Sequence, residues 1–141
     1  NKGCENLKLF ILGDGKNKDK LEKQINTLNI KKKVKLLGFK ENPFLFMKQC
    51  KLFILPSIYE GHSNVLVHSQ YLNNKILSSS AAGANKEVLS SNGISYNSKD
   101  PIKVANLAIK ILKSKKRNIS KSNLLNRFSD KNIINKIIKL F

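Results

Sequence analysis

Acidic residues are scarce in this chain of 141 residues. Nine Asp and Glu stand against 27 Lys and Arg, which gives a formal net charge of +18. Such an excess favours anionic partners: nucleotides, nucleic acid or an anionic lipid surface. The lysines are spread along the whole chain among Asn and Ile, however, and this distribution is typical of a solvated lysine-rich surface.

Arginine, cysteine and long apolar runs are also rare. Arg117 and Arg127 form no cluster, and no aromatic residues alternate with basic ones, which disfavours nucleic acid as a partner. Cys4 and Cys50 match no metal-ligand spacing, so we expect free thiols of a cytoplasmic protein and no bound metal. No apolar run approaches the roughly 20 residues of a membrane helix, and the first residues do not resemble a signal peptide.

Apolar runs alternate with helical patterns along the chain. The predicted strands are 7–12, 34–37, 52–55, 75–79 and 93–96. The predicted helices are 19–28, 84–89, 130–141 and three that begin near residues 43, 64 and 101. This order predicts one α/β domain over 1–141, with a Rossmann-like, mainly parallel sheet, helices on both faces, and a C-terminal helical segment at 123–141.

The stretch from Leu52 to Gln70 organises the predicted site. A short apolar strand ends at Pro56, the chain turns through Gly61, and a helix begins at Ser63 or Asn64. This layout places free backbone N–H groups and a positive helix end beside Glu60, where a phosphate can bind. The same layout is also a plain strand-to-helix connection in α/β proteins, and geometry alone leaves both interpretations open.

The residue types of this stretch add a resemblance. Residues 55–66 read Leu-Pro-Ser-x-Tyr-Glu-Gly-x-x-Asn-Val-Leu, which is similar to the donor-site signature of retaining glycosyltransferases of family 4, enzymes of GT-B fold. The resemblance continues in the family's order through Leu12-Gly-Asp-Gly15, Leu37-Gly-Phe39, Gly83-Ala-Asn-Lys-Glu87 and Asn92-Gly93. It implies the C-terminal, donor-binding domain of such an enzyme, truncated at its N-terminal side.

The resemblance implies roles for individual residues. Glu60 and His62 are expected to contact the donor sugar, although His62 and Ser63 replace the family's usual Phe-Pro. The backbone amides of Ser63, Asn64 and Val65 are expected to hold the diphosphate.

More distant positions receive supporting roles. Backbone groups at Gly38 and Phe39 are expected to face the base, and Gly13, Gly15 and Lys86 are candidate donor contacts. Without the resemblance, these glycines read as ordinary turn residues and the lysine as an exposed side chain.

His68 breaks the pattern that it belongs to. It stands where the family places a carboxylate that accepts hydrogen bonds from both ribose hydroxyls, whereas neutral imidazole has one acceptor nitrogen. We therefore expect weaker ribose recognition. A packed or surface histidine without a ligand role is the other open interpretation.

The implied parent activity transfers a hexosyl or N-acetylhexosaminyl group from a nucleotide diphosphate sugar, a UDP-sugar, to an acceptor in glycan or lipopolysaccharide-type polysaccharide biosynthesis. It requires no cofactor and takes place in the cytoplasm, with the enzyme peripheral on the inner membrane face. The acceptor-binding N-terminal domain is expected to be absent, and the chain alone to be inactive. Two other functions stay open: a non-catalytic degenerate remnant of such an enzyme, and a basic nucleic-acid-binding module.

The resemblance also implies that the first strand–helix unit of the domain is missing. In the family's strand order, that strand lies between the strands predicted at 7–12 and 52–55. We expect these two strands to pair directly, or another chain to supply the missing strand, because unpaired edges leave rows of backbone groups without partners.

Overall fold

A computed structural model describes residues 6–61, 63–80 and 85–115, together with Leu124, Asn126, Phe128 and Ser129. The strands are Leu9–Leu12 (β1), Val34–Gly38 (β2), Phe53–Leu55 (β3), Ile76–Ser79 (β4) and Ile94–Tyr96 (β5). The helices are Lys18–Thr27 (α1), Phe44–Gln49 (α2), Asn64–Tyr71 (α3), Asn85–Leu89 (α4) and Pro101–Lys113 (α5). The predicted elements in this part of the chain are therefore confirmed, with small shifts at their ends. The helix predicted at 130–141 lies outside the described residues.

The chain divides into two compact units, Asn1–Phe46 and Met47–Phe141. In the first unit, β1 and β2 pair in parallel, with Leu9 opposite Val34 and Leu12 opposite Gly38. The connecting helix α1 buries Ile25 on the face that its apolar spacing predicts. β1 and β2 therefore end at the same edge of this small sheet, where Gly13 follows β1 and Gly38 is the last residue of β2.

The second unit contains a parallel sheet in the order β3-β4-β5. All four residues of the central strand β4 are buried. Its apolar core joins β4 to α3 and α4 through Leu66, Ile76, Val88 and Leu89. Phe53, Leu55, Val67 and Phe128 pack against that cluster. The core thus fixes the starts of α3 and α4 relative to the strands that precede them.

A buried glutamine joins α3 to α4 inside this unit. Gln70 is 1% exposed, and its Nε2 donates to the carbonyl oxygens of Leu66 at 3.3 Å and Val88 at 3.1 Å. Its Oε1 accepts from Nδ2 of Asn92 at 2.8 Å. The bond to Val88 joins α3 to α4, the bond from Asn92 joins α3 to the residues after α4, and the bond to Leu66 lies within α3. Together they satisfy a buried amide that would be costly without partners.

The fold class is confirmed as α/β with parallel strands and flanking helices, but the described strands form two sheets. Within the described part of the chain, β1 pairs with β2 in the first unit, and β3 with β4 in the second. That the strands at 7–12 and 52–55 pair directly, or that another chain supplies a strand, stays a prediction. Of the described helices, none is both long and apolar enough to cross a membrane.

Candidate functional site

The connection from β3 to α3 holds Glu60 in a defined place. Ser57 Oγ donates a hydrogen bond to Glu60 Oε1 at 2.7 Å, and both residues are half-buried. The two residues between them, Ile58 and Tyr59, are 87% and 88% exposed. The turn that follows Pro56 therefore directs the carboxylate inward and the intervening side chains into solvent.

The start of α3 presents hydrogen-bond donors without partners. Ser63 is the N-cap in an extended conformation (φ −84°, ψ 94°), yet its side chain makes no capping bond. Its Oγ is buried and unpartnered, although a serine in this position ordinarily bonds to an amide of the first turn. Within the described residues, the amides of Ser63, Asn64 and Val65 also donate to no acceptor.

These donors lie at the positive end of the helix dipole. Three N–H groups and one O–H group can therefore meet an anion at this point. Asn64 and Val65 are exposed, so the approach to the amides is open on that side. In an ordinary helix start the N-cap hydroxyl bonds to an amide of the first turn, whereas the buried hydroxyl of Ser63 makes no such bond.

His68 lies four residues after Asn64 and is exposed. Residues at this spacing share one face of a helix, so the imidazole lies one turn below the start of α3 on the face of Asn64. The packed interpretation is therefore wrong. A surface position is compatible with both the ribose role and a histidine without a ligand role.

Lys86 is exposed in α4, directly after the buried Asn85. The amide Nδ2 of Asn85 donates to Ser78 Oγ at 3.1 Å and to the carbonyl oxygen of Ser79 at 3.3 Å. The amide nitrogen must face that carbonyl, which leaves Oδ1 buried without a partner. Asn85 thus fastens the start of α4 to the carboxyl end of β4, and with it the position of Lys86.

The glycines predicted in the first unit come together around one cavity of about 330 Å³. Gly13, Gly15 and Gly38 line it, and the amide of Gly13 donates to the carbonyl oxygen of Gly38 at 2.8 Å. Gly13 and Gly38 have φ of +110° and +66°, values that side chains with a Cβ rarely adopt. The polar lining also includes Asp14, Lys16, Asn17 and Lys18. Phe39, next to Gly38, is 74% exposed.

The predicted site residues thus form two groups, one in each compact unit. His62 lies outside the described residues. Across the ranges that the structure describes, no group of three or more His, Cys, Asp or Glu side chains is placed to hold a metal ion.

Burial raises the pKa of the Tyr96 phenol above its usual 10.0, so this side chain stays neutral at physiological pH.

Two residues of the site were not predicted from the sequence. Ser57 stands three residues before Glu60 in a turn after proline, and this spacing could have indicated the side-chain bond. Asn85 gave no such signal, because an asparagine beside Lys86 and Glu87 reads as a solvated helix start. Its burial follows from packing that no local pattern encodes.

Comparisons with known proteins fit this geometry. The family model of the group 1 glycosyl transferases matches residues 2–132. Over 84 residues the chain is 40% identical to an uncharacterized glycosyltransferase of Methanocaldococcus jannaschii, a match that covers 60% of this chain and 21% of that protein. Over 63 residues it is 51% identical to N-acetylgalactosamine-N,N'-diacetylbacillosaminyl-diphospho-undecaprenol 4-alpha-N-acetylgalactosaminyltransferase of Campylobacter jejuni, covering 45% of this chain and 17% of that protein.

The fold comparison agrees. The crystal structure of Anabaena HepE in complex with UDP superposes with a TM-score of 0.79 at 22% identity, covering 96% of this chain and 41% of that one. The chain spans less than half the length of each of these proteins. Since the family match extends over nearly all of the sequence, the chain belongs to the group 1 glycosyl transferases.

Proposed function

We propose that this chain is the donor-binding half of a retaining glycosyltransferase of family 4, and that its donor is a UDP-sugar. The activity is transfer of a hexosyl or N-acetylhexosaminyl group to an acceptor in glycan or lipopolysaccharide-type polysaccharide biosynthesis. A GT-B site is assembled between two domains, so the chain alone turns over no donor.

The start of α3 carries the proposal. Ser63 Oγ and the amides of Ser63, Asn64 and Val65 are four donors without partners in the described part of the chain. A diphosphate supplies the acceptor oxygens and the negative charge that this arrangement lacks. Glu60 lies in the turn just before these donors, where the sugar attached to that diphosphate would follow.

The similar proteins support the nucleotide and the acceptor class. HepE binds UDP in its crystal structure, and the Campylobacter relative is named for transfer to a diphospho-undecaprenol-linked sugar. A lipid-linked acceptor requires access to a membrane surface. The excess of 27 Lys and Arg over nine Asp and Glu supports peripheral contact with the anionic inner face of the cytoplasmic membrane.

Replacing Asn64 with proline tests the diphosphate site. Asn64 is the first residue of α3, where proline is well tolerated, and Pro101 already occupies this position in α5. Ser63 is extended, as a residue before proline prefers. Asn64→Pro therefore removes one amide donor with little effect on the helix. We expect the Kd for UDP, measured by isothermal titration calorimetry, to rise about tenfold, roughly 1.4 kcal/mol.

Asn64→Ala is the matched control, because it removes the same side chain and keeps the N–H group. Its Kd for UDP should stay within about twofold of the parent value. Equal weakening in both variants would place the contact in the side chain and contradict binding through the amide. A parent chain that binds no UDP would refute the proposal and favour the degenerate remnant.

A further inference from the structure

The hydrogen bond between Ser57 and Glu60 closes a four-residue turn at the site. The donor Oγ and the acceptor Oε1 are 2.7 Å apart, a usual distance for a hydroxyl donor and within the range of charge-assisted bonds to a carboxylate. Ile58 and Tyr59, between them, are almost fully exposed and make no core that would hold the turn. Among the hydrogen bonds of the described residues, the bond from Ser57 is the one that holds the Glu60 carboxylate.

We propose that Ser57 is a positioning residue, which orients Glu60 toward the sugar of the bound donor. A glutamate side chain has several rotatable bonds and loses much conformational entropy when it is fixed. Ser57 fixes it before the ligand arrives, so the binding step carries less of that cost. The inference rests on the proposed function, because it assumes that a donor sugar lies beside Glu60.

The two carboxylate oxygens of Glu60 differ in their hydrogen-bond partners. Oε1 accepts from Ser57, and within the described residues Oε2 accepts from no donor. A carboxylate has about four acceptor sites, so Oε2 remains able to accept from sugar hydroxyl groups while Oε1 is held. Without the serine hydroxyl, the same carboxylate would turn freely within its half-buried turn.

This role predicts an effect that depends on the sugar. The diphosphate and the nucleoside are not contacts of Glu60, so loss of Ser57 Oγ should spare UDP binding. Only the additional affinity that the sugar contributes should fall. A purely structural role of Ser57 would weaken UDP and UDP-sugar alike, since both need the start of α3.

The experiment is a set of calorimetric titrations of the 141-residue chain with UDP, UDP-glucose and UDP-N-acetylglucosamine. The measured quantity is the ratio of the Kd for UDP to the Kd for the tighter of the two UDP-sugars. We expect Ser57→Ala to lower this ratio about tenfold, the order of the conformational entropy lost when one glutamate side chain is fixed, with the Kd for UDP changed by less than about twofold. Ser57→Thr, which keeps a hydroxyl, should restore the ratio.

Ser114→Ala is the matched control. Ser114 Oγ also makes a 2.7 Å bond, to the carbonyl oxygen of Ile111 at the end of α5, outside the proposed site. Its ratio should equal that of the parent. If Ser57→Ala does not fold, Ser57→Cys keeps the volume and offers a weaker donor, and it should give a smaller fall in the ratio.

Two results would overturn the inference alone: an unchanged ratio in folded Ser57→Ala, or equal weakening of UDP and UDP-sugar. A parent chain that binds UDP but gains no affinity from either sugar would remove the sugar role of Glu60, and the inference with it, while the diphosphate site stands. A parent chain without UDP binding would overturn the proposed function as well.

Discussion

Replacement of Gln70 with methionine measures how strongly α3 is tied to α4. Methionine has nearly the length of glutamine and no amide, so Gln70→Met keeps the volume while it removes all three side-chain hydrogen bonds. The carbonyl oxygen of Val88 and the amide of Asn92 lose a partner in the process. Gln70 is 1% exposed, so water does not replace the two buried bonds to the carbonyl oxygens of Leu66 and Val88.

The expected magnitude follows from these three bonds. A neutral hydrogen bond contributes a net of about 0.5–1.5 kcal/mol, which gives about 1.5–4.5 kcal/mol in total. Burial of the more apolar methionine offsets part of this loss. We therefore expect the free energy of unfolding of the second unit to fall by about 2–3 kcal/mol, against about 5–15 kcal/mol for a whole domain.

Tyrosine fluorescence during urea unfolding reports this change selectively. The chain has no tryptophan, and its tyrosines, Tyr59, Tyr71 and Tyr96, all belong to the second unit. Gln49→Met is the matched control, because Gln49 is exposed and should change the free energy by less than about 0.5 kcal/mol. A loss for Gln70→Met no larger than that of the control would refute the reasoning.

Three further changes have definite expected outcomes. Gly93→Ala places a Cβ 2.7 Å from Leu89 Cδ2 and 3.1 Å from Ile76 Cβ, so the free energy of unfolding in urea should fall by about 1–3 kcal/mol. Gly61→Ala is the control and should show no such loss, because a Cβ there has nothing within 4 Å. Lys75→Met removes the hydrogen bonds from Nζ to the carbonyl oxygens of Leu112 and Ser114, so the free energy of unfolding should fall by about 1 kcal/mol, and by less at high salt. Lys99→Met is the control and should leave the free energy of unfolding unchanged. His68→Glu restores two acceptors for a ribose and should tighten UDP binding about tenfold, with a smaller gain for 2′,3′-dideoxy-UDP; equal gains would contradict a ribose contact.

The sequence predicted those elements whose local signals agree. α5 begins where Asp100 and Pro101 indicate, and Asp100 Oδ1 accepts from the amide of Ile102 at 2.9 Å. In the same way Pro56, Gly61 and Ser63 predicted the turn and the start of α3. Each of these signals depends on a few neighbouring residues only, so the turn or helix start can be predicted from the sequence without knowledge of the tertiary structure.

The remaining features depend on contacts between distant residues. Ser78 and Ser79 do not look like the centre of a buried sheet, yet all four residues of β4 are buried. Their burial becomes possible because Asn85, six and seven residues later, supplies hydrogen-bond partners. The exposure of His68 and the missing hydrogen-bond partner of the Ser63 hydroxyl likewise depend on how α3 packs. Local sequence patterns do not encode that packing.

The buried contact of Asn85 with Ser78 sets an order in which these two positions can evolve. If Asn85 changes first to an apolar residue of similar size, Ser78 Oγ keeps its own bond to the carbonyl oxygen of Ser79 at 3.3 Å. If Ser78 changes first to alanine, the buried amide loses an acceptor while its Oδ1 already lacks a donor. In relatives that lack both polar side chains, the residue matching Asn85 should therefore have been lost first. Lineages that keep this asparagine should also keep a hydroxyl at the position of Ser78 in β4.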